Sequence, residues 1–148
     1  MTTCASHTPF RPTVIYVEKC IANSEYAARI IKKYPNLLLE YVDDANVFLR
    51  EPGRETNKGS LQGAIVLARQ RGPFLRYCPG TSNHICCLYH NLDVAAGCDF
   101  NCTYCILQGY INNPVITFYC NLEDMFAELD DKLLNHPHQF YRIGTGEL

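Results

Sequence analysis

The chain has no uninterrupted apolar run approaching the roughly 18 residues a membrane-spanning helix requires. Met1 to Thr13 also lacks the basic flank and apolar core of a secretory leader. Basic charge is scarce: 13 Lys and Arg stand against 15 Asp and Glu, a formal net charge of -2. There is thus no electrostatic footprint of the kind nucleic-acid-binding domains commonly carry, nor a basic stripe or stacked aromatic set that favours nucleic acid independently. No internal repeat occurs at the periods that mark solenoids or propellers. The nine cysteines are an odd number and follow no leader, which argues against an oxidised disulfide scaffold. They fit a reducing cytosol, in which thiols persist or bind metal, so a cytoplasmic protein with no membrane partner is expected.

What is present is an ordinary globular interior. The 148 residues are 47% hydrophobic and 19% charged, and the length allows one domain by the usual prior of roughly 100–200 residues. Val14 to Glu18, VIYVE, reads as a strand. A helix follows it, with Asn23 or Ser24 as cap, Ala27, Ala28, Ile30 and Ile31 as apolar face, and Pro35 as stop. Leu37 to Val42, LLLEYV, reads as a second, buried strand, giving a strand-helix-strand unit that can place both strands parallel. Arg50 to Gly63 is polar and rich in turn formers, a loop whose Arg50, Arg54 and Lys58 read as solvated surface ahead of phosphate contacts. Ala64 to Gln70 is expected to be a strand bounded by Gly63 and Gly72.

Further along, Leu88 to Ala95 can deliver the following loop from a strand end, where α/β folds place their chemistry. Val115 to Tyr119 reads as a short extended segment. Asn121 is expected to cap a helix with Glu123 and Asp124 in its first turn and Leu122, Met125, Phe126, Leu129 and Leu133 as its apolar stripe. Phe140 to Ile143 reads as a strand leading into Gly144, Thr145, Gly146 and Glu147. Cys4, Cys20 and Cys120 lie outside ligand spacing and read as structural or surface thiols. His7, His90, His136 and His138 have no partner spacing either, and read as exposed or hydrogen-bonded histidines.

The chemistry concentrates in Gly97 to Gly109, GCDFNCTYCILQG, where Cys98, Cys102 and Cys105 form a C-x3-C-x2-C triplet. Three thiolates on one loop can converge on three irons of a cubane [4Fe-4S] cluster, leaving the fourth iron open to a substrate or co-substrate. Zinc is the strongest competing ligand, although structural zinc favours a fourth ligand and paired C-x2-C knuckles. Cys78, Cys86 and Cys87, with His84, form a second group. It reads as a shell around the main cluster or a set of inert thiols ahead of a second metal site, since adjacent Cys86 and Cys87 do not easily bind one ion.

The triplet, with Tyr104 just before its last cysteine, resembles the radical S-adenosylmethionine (radical SAM) superfamily. CPGT at Cys78 to Thr81, CCLY at Cys86 to Tyr89, CDFNCTYCILQGYINNP at Cys98 to Pro114 and RIGTGEL at Arg142 to Leu148 together resemble its spore photoproduct lyase-like branch, a group of DNA repair photolyase-like proteins. The resemblance covers roughly Arg69 to Leu148. It implies an α/β chain in which an N-terminal strand-helix-strand region, 1–87, precedes the first units of a radical-SAM (βα)6 partial barrel, 88–148, truncated so that the sequence is an N-terminal fragment.

The resemblance also implies a function. Cys98, Cys102 and Cys105 would bind the [4Fe-4S] cluster, and SAM would chelate the open iron and be cleaved reductively to methionine and a 5'-deoxyadenosyl radical. Gly144, Thr145, Gly146 and Glu147 resemble the superfamily's GGE-type motif and, with Tyr104, would contact SAM. Glycines let main chain approach a ligand closely, and a carboxylate accepts hydrogen bonds from an ammonium group. An electron donor such as flavodoxin or ferredoxin, and damaged DNA carrying a thymine-dimer lesion, would be the partners. The sequence assigns no catalytic residue, and where the lyases carry a hydrogen-donating cysteine it aligns Glu147. A radical SAM reaction on another substrate, and a non-catalytic iron-sulfur or zinc module, are the alternatives.

Overall fold

The computed structural model of the chain describes residues 10–50, 63–78, 83, 85, 89–98, 104 and 115–145. Its first strand, β1 (Val14–Glu18), runs through a 3-10 turn at Lys19–Ile21 into helix α1 (Glu25–Lys33). Ser24 is the N-cap of α1: its hydroxyl accepts from the Tyr26 N–H at 3.3 Å and donates to the Cys120 carbonyl at 2.7 Å. One side chain thus starts the helix and fastens it to a strand end 96 residues away. Strand β2 (Leu38–Val42) follows and pairs in parallel with β1, Val14 opposite Leu38, as the strand-helix-strand reading expects.

Burial corrects one part of that reading. β2 is an edge strand with no buried residue, and Leu38 and Tyr41 are more than half exposed. An apolar run such as LLLEYV fits a half-covered edge as well as a central strand, and composition cannot separate the two. The central position belongs to β3 (Ala64–Ala68), whose five residues are all buried. It lies in a five-stranded sheet of order β2-β1-β3-β7-β6, in which β7 (Ile116–Tyr119) is parallel to β3 and β6 (Ala95–Ala96) runs antiparallel along the edge.

The two faces of this sheet carry separate cores because side chains alternate along a strand. Ile65 and Leu67 of β3 join Ile15, Val17, Ile21, Ala27 and Cys120, with Tyr26, Ile30 and Ile31 of α1 packed over them. Ala64, Val66 and Ala68 face the other way, with Ala45 and Phe48 of a short helix α2 (Ala45–Arg50) and with Val115. Helix on sheet on helix is the layering that parallel strands require. The α2 helix was not foreseen. It is one and a half turns long, started by the Asp44 carboxylate, which accepts from the Asn46 and Val47 N–H groups at 2.8 and 3.2 Å.

A second, three-stranded sheet has the order β4-β5-β8, with β4 (Leu75–Tyr77) antiparallel and β8 (Arg142–Gly144) parallel to β5 (Tyr89–Leu92). Helix α3 (Leu122–Asn135) carries the chain from β7 in the first sheet to β8 in the second. Its Glu128 carboxylate accepts from the Phe74 and Leu75 N–H groups at 2.7 and 3.3 Å, tying the helix to the start of β4. Met125 is buried as expected, but Phe126 is 52% and Leu133 49% exposed. The apolar stripe of α3 is therefore only partly covered. Asn121 sits at the N-cap position without capping: its amide accepts from Gln70 N–H at 2.8 Å and donates to Gln70 O at 3.1 Å and to Asp124 Oδ2 at 2.8 Å. Competition from the exposed main chain at the end of β3 outweighs the local cap. No helix among the described residues is long and apolar enough to cross a membrane.

Candidate functional site

The chain that runs on toward the cysteines passes through β5, and the glycine-bearing turn leaves β8; the parallel pairing of these two strands puts their carboxyl ends side by side. Their register places Tyr89 opposite Arg142, His90 opposite Ile143 and Asn91 opposite Gly144. Gly144 and Thr145 thus lie at the end of the strand next to β5, and the chain reaches Cys98 from β5 only through β6; between β5 and β8 it holds two strands of the other sheet and a helix. Parallel neighbours need such a long crossover, so two stretches remote in sequence meet at one sheet edge. In open α/β sheets, crevices outside the carboxyl ends of strands bind ligands.

From β5 the chain turns at Asp93 and enters β6, which pairs with β7: Ala95 lies opposite Phe118, Ala96 opposite Thr117, and Tyr119 N–H donates to Val94 O at 3.1 Å. Gly97 follows with φ +92, and a Cβ there would overlap the Val115 carbonyl oxygen, with the carbonyl carbon at 2.9 Å. Only glycine takes up this conformation at so close an approach. The two ends of the segment that contains the cysteine triplet are therefore clamped together at its stem.

Cys98 stands just beyond this clamp with an exposed, unpaired thiol. Tyr104 is 90% exposed. Cys102, Cys105, Gly146 and Glu147 lie outside the described residues, as do Cys4, His7, His84, Cys86, Cys87, most of the Arg50 to Gly63 loop, and Arg54 and Lys58 within it. Among the described residues no three His, Cys, Asp or Glu side chains converge as a metal site. Cys78 is half-buried at the end of β4, its N–H donating to Tyr89 O at 2.9 Å.

Two further thiols are described, Cys20 and Cys120. Burial pushes the Cys120 thiol up to about 11, with a smaller contribution from Glu123. Burial and then the charge of Glu18 also raise Cys20. Proton retention in the buried Cys120 suits a structural thiol, since metal ligands bind as thiolates; Cys20 is exposed. His90 proves to be a core residue: it is 2% exposed, with its ring 4.2 Å from that of Tyr77 and 5.3 Å from that of Tyr141. His136 and His138 are exposed.

Two polar constellations escaped the sequence reading. Glu18, fully buried at the end of β1, accepts from Arg69 N–H at 2.9 Å and pairs with the Arg71 guanidinium, which also reaches Asp44 at 3.2 Å. The signal was there in an acid that closes an apolar strand, VIYVE, but its partner lies 53 residues on. Between the sheets, a cleft of about 470 Å³ is lined by Gln70, Pro73, Arg76, Asp93, Ala96 and Tyr119 among others. Arg76 and Asp93 form an ion pair there. Tyr119 is raised above its ordinary value by burial and then by Asp93, with Arg76 opposing.

No family model matches the sequence, and no curated protein matches it either. Solved structures do. This α/β arrangement with its mostly parallel sheet has the fold of a known enzyme, spore photoproduct lyase. A cysteine-to-serine variant of that lyase superposes with a TM-score of 0.71 at 21% identity, over 94% of this chain and 41% of the lyase chain. The lyase complexed with dinucleoside spore photoproduct gives 0.72 at 20% identity. A double variant with bound AdoMet and dinucleoside spore photoproduct gives 0.74 at 20%. The chain spans about two-fifths of the length of the structures it matches, 41% in each of these three.

Proposed function

We propose that the chain carries the cluster-binding part of a radical SAM enzyme, with Cys98, Cys102 and Cys105 as ligands of a [4Fe-4S] cluster. The observation that supports this reading is the parallel pairing of β5 and β8, which puts the Gly144–Thr145 turn beside the strand end from which the chain runs on through β6 to Cys98, in the fold of a lyase solved with bound AdoMet. The donor set fits: three thiols share one segment, its stem is closed at Gly97, and Cys98 is unpaired and accessible. Three thiolates leave one iron for a non-protein ligand.

When bound, the cluster supplies the electron for reductive cleavage of SAM. The chain's own residues bind and orient. Gly144 and Gly146 allow main chain to approach SAM, Glu147 accepts hydrogen bonds from its ammonium group, and Tyr104 lines the approach to the cysteines. The edge of the three-stranded sheet begins a partial barrel in this reading, and the remaining wall belongs to further chain. Flavodoxin or ferredoxin is the electron donor, and the reaction takes place in the cytoplasm.

For substrate we propose a DNA lesion of the thymine-dimer type. The support is the likeness to a lyase complexed with dinucleoside spore photoproduct; the net charge of -2 adds none. A radical SAM reaction on another substrate is the second reading, favoured by the residue at 147, a glutamate where the resemblance places a hydrogen-donating cysteine.

Anaerobic reconstitution with iron and sulfide tests the assignment: about four irons per chain are expected, with a change in the paramagnetic spectrum of the reduced cluster on adding SAM. Zinc at unit stoichiometry with no cluster absorption overturns it. SAM cleavage that leaves dinucleoside spore photoproduct untouched rejects the repair reaction and leaves the radical SAM reading standing.

A further inference from the structure

The turn that follows β8 has a side chain built against it from the neighbouring strand. Tyr89 is the first residue of β5 and lies opposite Arg142 in the register, yet its side chain reaches along β8 to the last residue of that strand. A Cβ on Gly144 would overlap the Tyr89 hydroxyl oxygen, with Cζ at 2.6 Å and Cε2 at 3.3 Å. The main chain of Tyr89 is held on both sides: β8 pairs with it, and its carbonyl accepts from Cys78 N–H at 2.9 Å. Gly144 is not in the left-handed region, unlike Gly63 and Gly97. Its lack of a side chain is therefore a matter of space and not of backbone conformation.

We infer that Tyr89 is a positioning residue for the SAM-binding turn: its ring and hydroxyl back the main chain of Gly144 and fix where the turn meets the ligand. The inference rests on the radical SAM reading and gives a role to Tyr89, the last residue of the CCLY stretch, to which the sequence assigns none. Main chain that meets a ligand through its own peptide groups gains affinity only when those groups are held in place beforehand. Glycine gives access but no rigidity. A tyrosine packed against Gly144 supplies the rigidity that a glycine turn lacks, and the absence of Cβ at 144 is what lets the side chain come so close.

Such a relation predicts coupling between the two positions, because residues in contact deviate from additivity while independent ones do not. Iron loading, SAM affinity and thermal melting are measured separately on the reconstituted protein extended to full length. Tyr89→Leu removes the atoms that meet Gly144 and is expected to weaken SAM binding about tenfold at unchanged iron content; Tyr89→Phe, which keeps the ring, restores most of the affinity. Gly144→Ala alone is expected to lose more than tenfold. Combined with Tyr89→Leu, which clears the space its methyl group needs, it loses no more than Tyr89→Leu does.

Additive losses in the double variant, or SAM affinity in Tyr89→Leu equal to wild type, overturn the inference and leave the radical SAM reading intact. Wild-type protein extended to full length that loads iron fully but binds no SAM overturns both. The Phe variant preserves packing, so an unfolded Leu variant does not decide the matter: a Phe variant that matches an unfolded or non-binding Leu variant in SAM affinity also overturns it.

Discussion

Gly97 and Val115 approach each other so closely that a methyl group at 97 would overlap the Val115 carbonyl. These residues are the two ends of the cysteine segment, and they meet because β6 and β7 pair antiparallel just outside them. A clamp at the stem shortens the loop the cluster would otherwise have to close. Gly97→Ala must both adopt φ +92 and displace main chain; the backbone conformation alone costs on the order of 1–3 kcal/mol. A lowered melting temperature and reduced iron loading are expected together. Wild-type iron content in a folded Gly97→Ala chain would show that the stem does not govern the site.

Ligand counting orders the site variants. Cys102→Ala removes one of three anchors and is expected to abolish a stable cluster. Cys120→Ala should load iron normally, since the thiol is buried in the sheet core and held protonated; it should lose only about 1 kcal/mol of stability for the atoms removed. Glu147→Ala should load iron and bind SAM more weakly, by the roughly 1.5–3 kcal/mol of a charge-assisted hydrogen bond. Iron content and SAM affinity of the three variants check the order, and normal loading in Cys102→Ala contradicts it.

Glu18 and Arg71 offer a test of the fold that is independent of any cofactor. Arg71→Ala strips a fully buried carboxylate of its charge partner and leaves it the Arg69 N–H and the Cys20 thiol. A loss of about 3 kcal/mol is expected, because an uncompensated buried charge is costly. Arg69→Ala is the control: its pair with Asp124 is about half exposed on both sides and should contribute less than about 1 kcal/mol. Denaturant midpoints of the two variants should differ clearly; equal midpoints would show that water already reaches Glu18.

Alkaline pH should destabilise the chain. Cys120 titrates near 11 when folded and Tyr119 is likewise raised, both chiefly by burial. In the unfolded chain these groups lose their protons at lower pH, so the unfolded state binds fewer protons in that window and stability falls as pH rises. For Cys120 the contribution is intact below an ordinary thiol value of about 8.5 and is lost as pH rises to about 11. Cys120→Ala removes its share of this slope, which denaturation curves between pH 8 and 11 would detect as a flatter decline.

Much of this molecule follows from local pattern. The strands at Val14–Glu18 and Ala64–Ala68, the Ser24-capped helix, the parallel strand-helix-strand unit and the buried Met125 all rest on periodicity and caps that act within a few residues. The cysteine spacing, too, is a property of one short stretch, and it alone suggests the cluster chemistry. What the sequence could not decide was set by contacts between distant residues. The edge position of β2 depends on the absence of a further strand beside it among the described residues. Asn121 serves the end of β3 and not its own helix because Gln70 lies alongside it. The Glu18–Arg71 pair, the closure of Gly97 on Val115 and the seat of Tyr89 under Gly144 all join residues that only the strand order brings together. Periodicity reports which face of an element is apolar; which element covers that face, and which polar group meets it at the edge, depends on topology, and topology is settled by the packing of the whole chain.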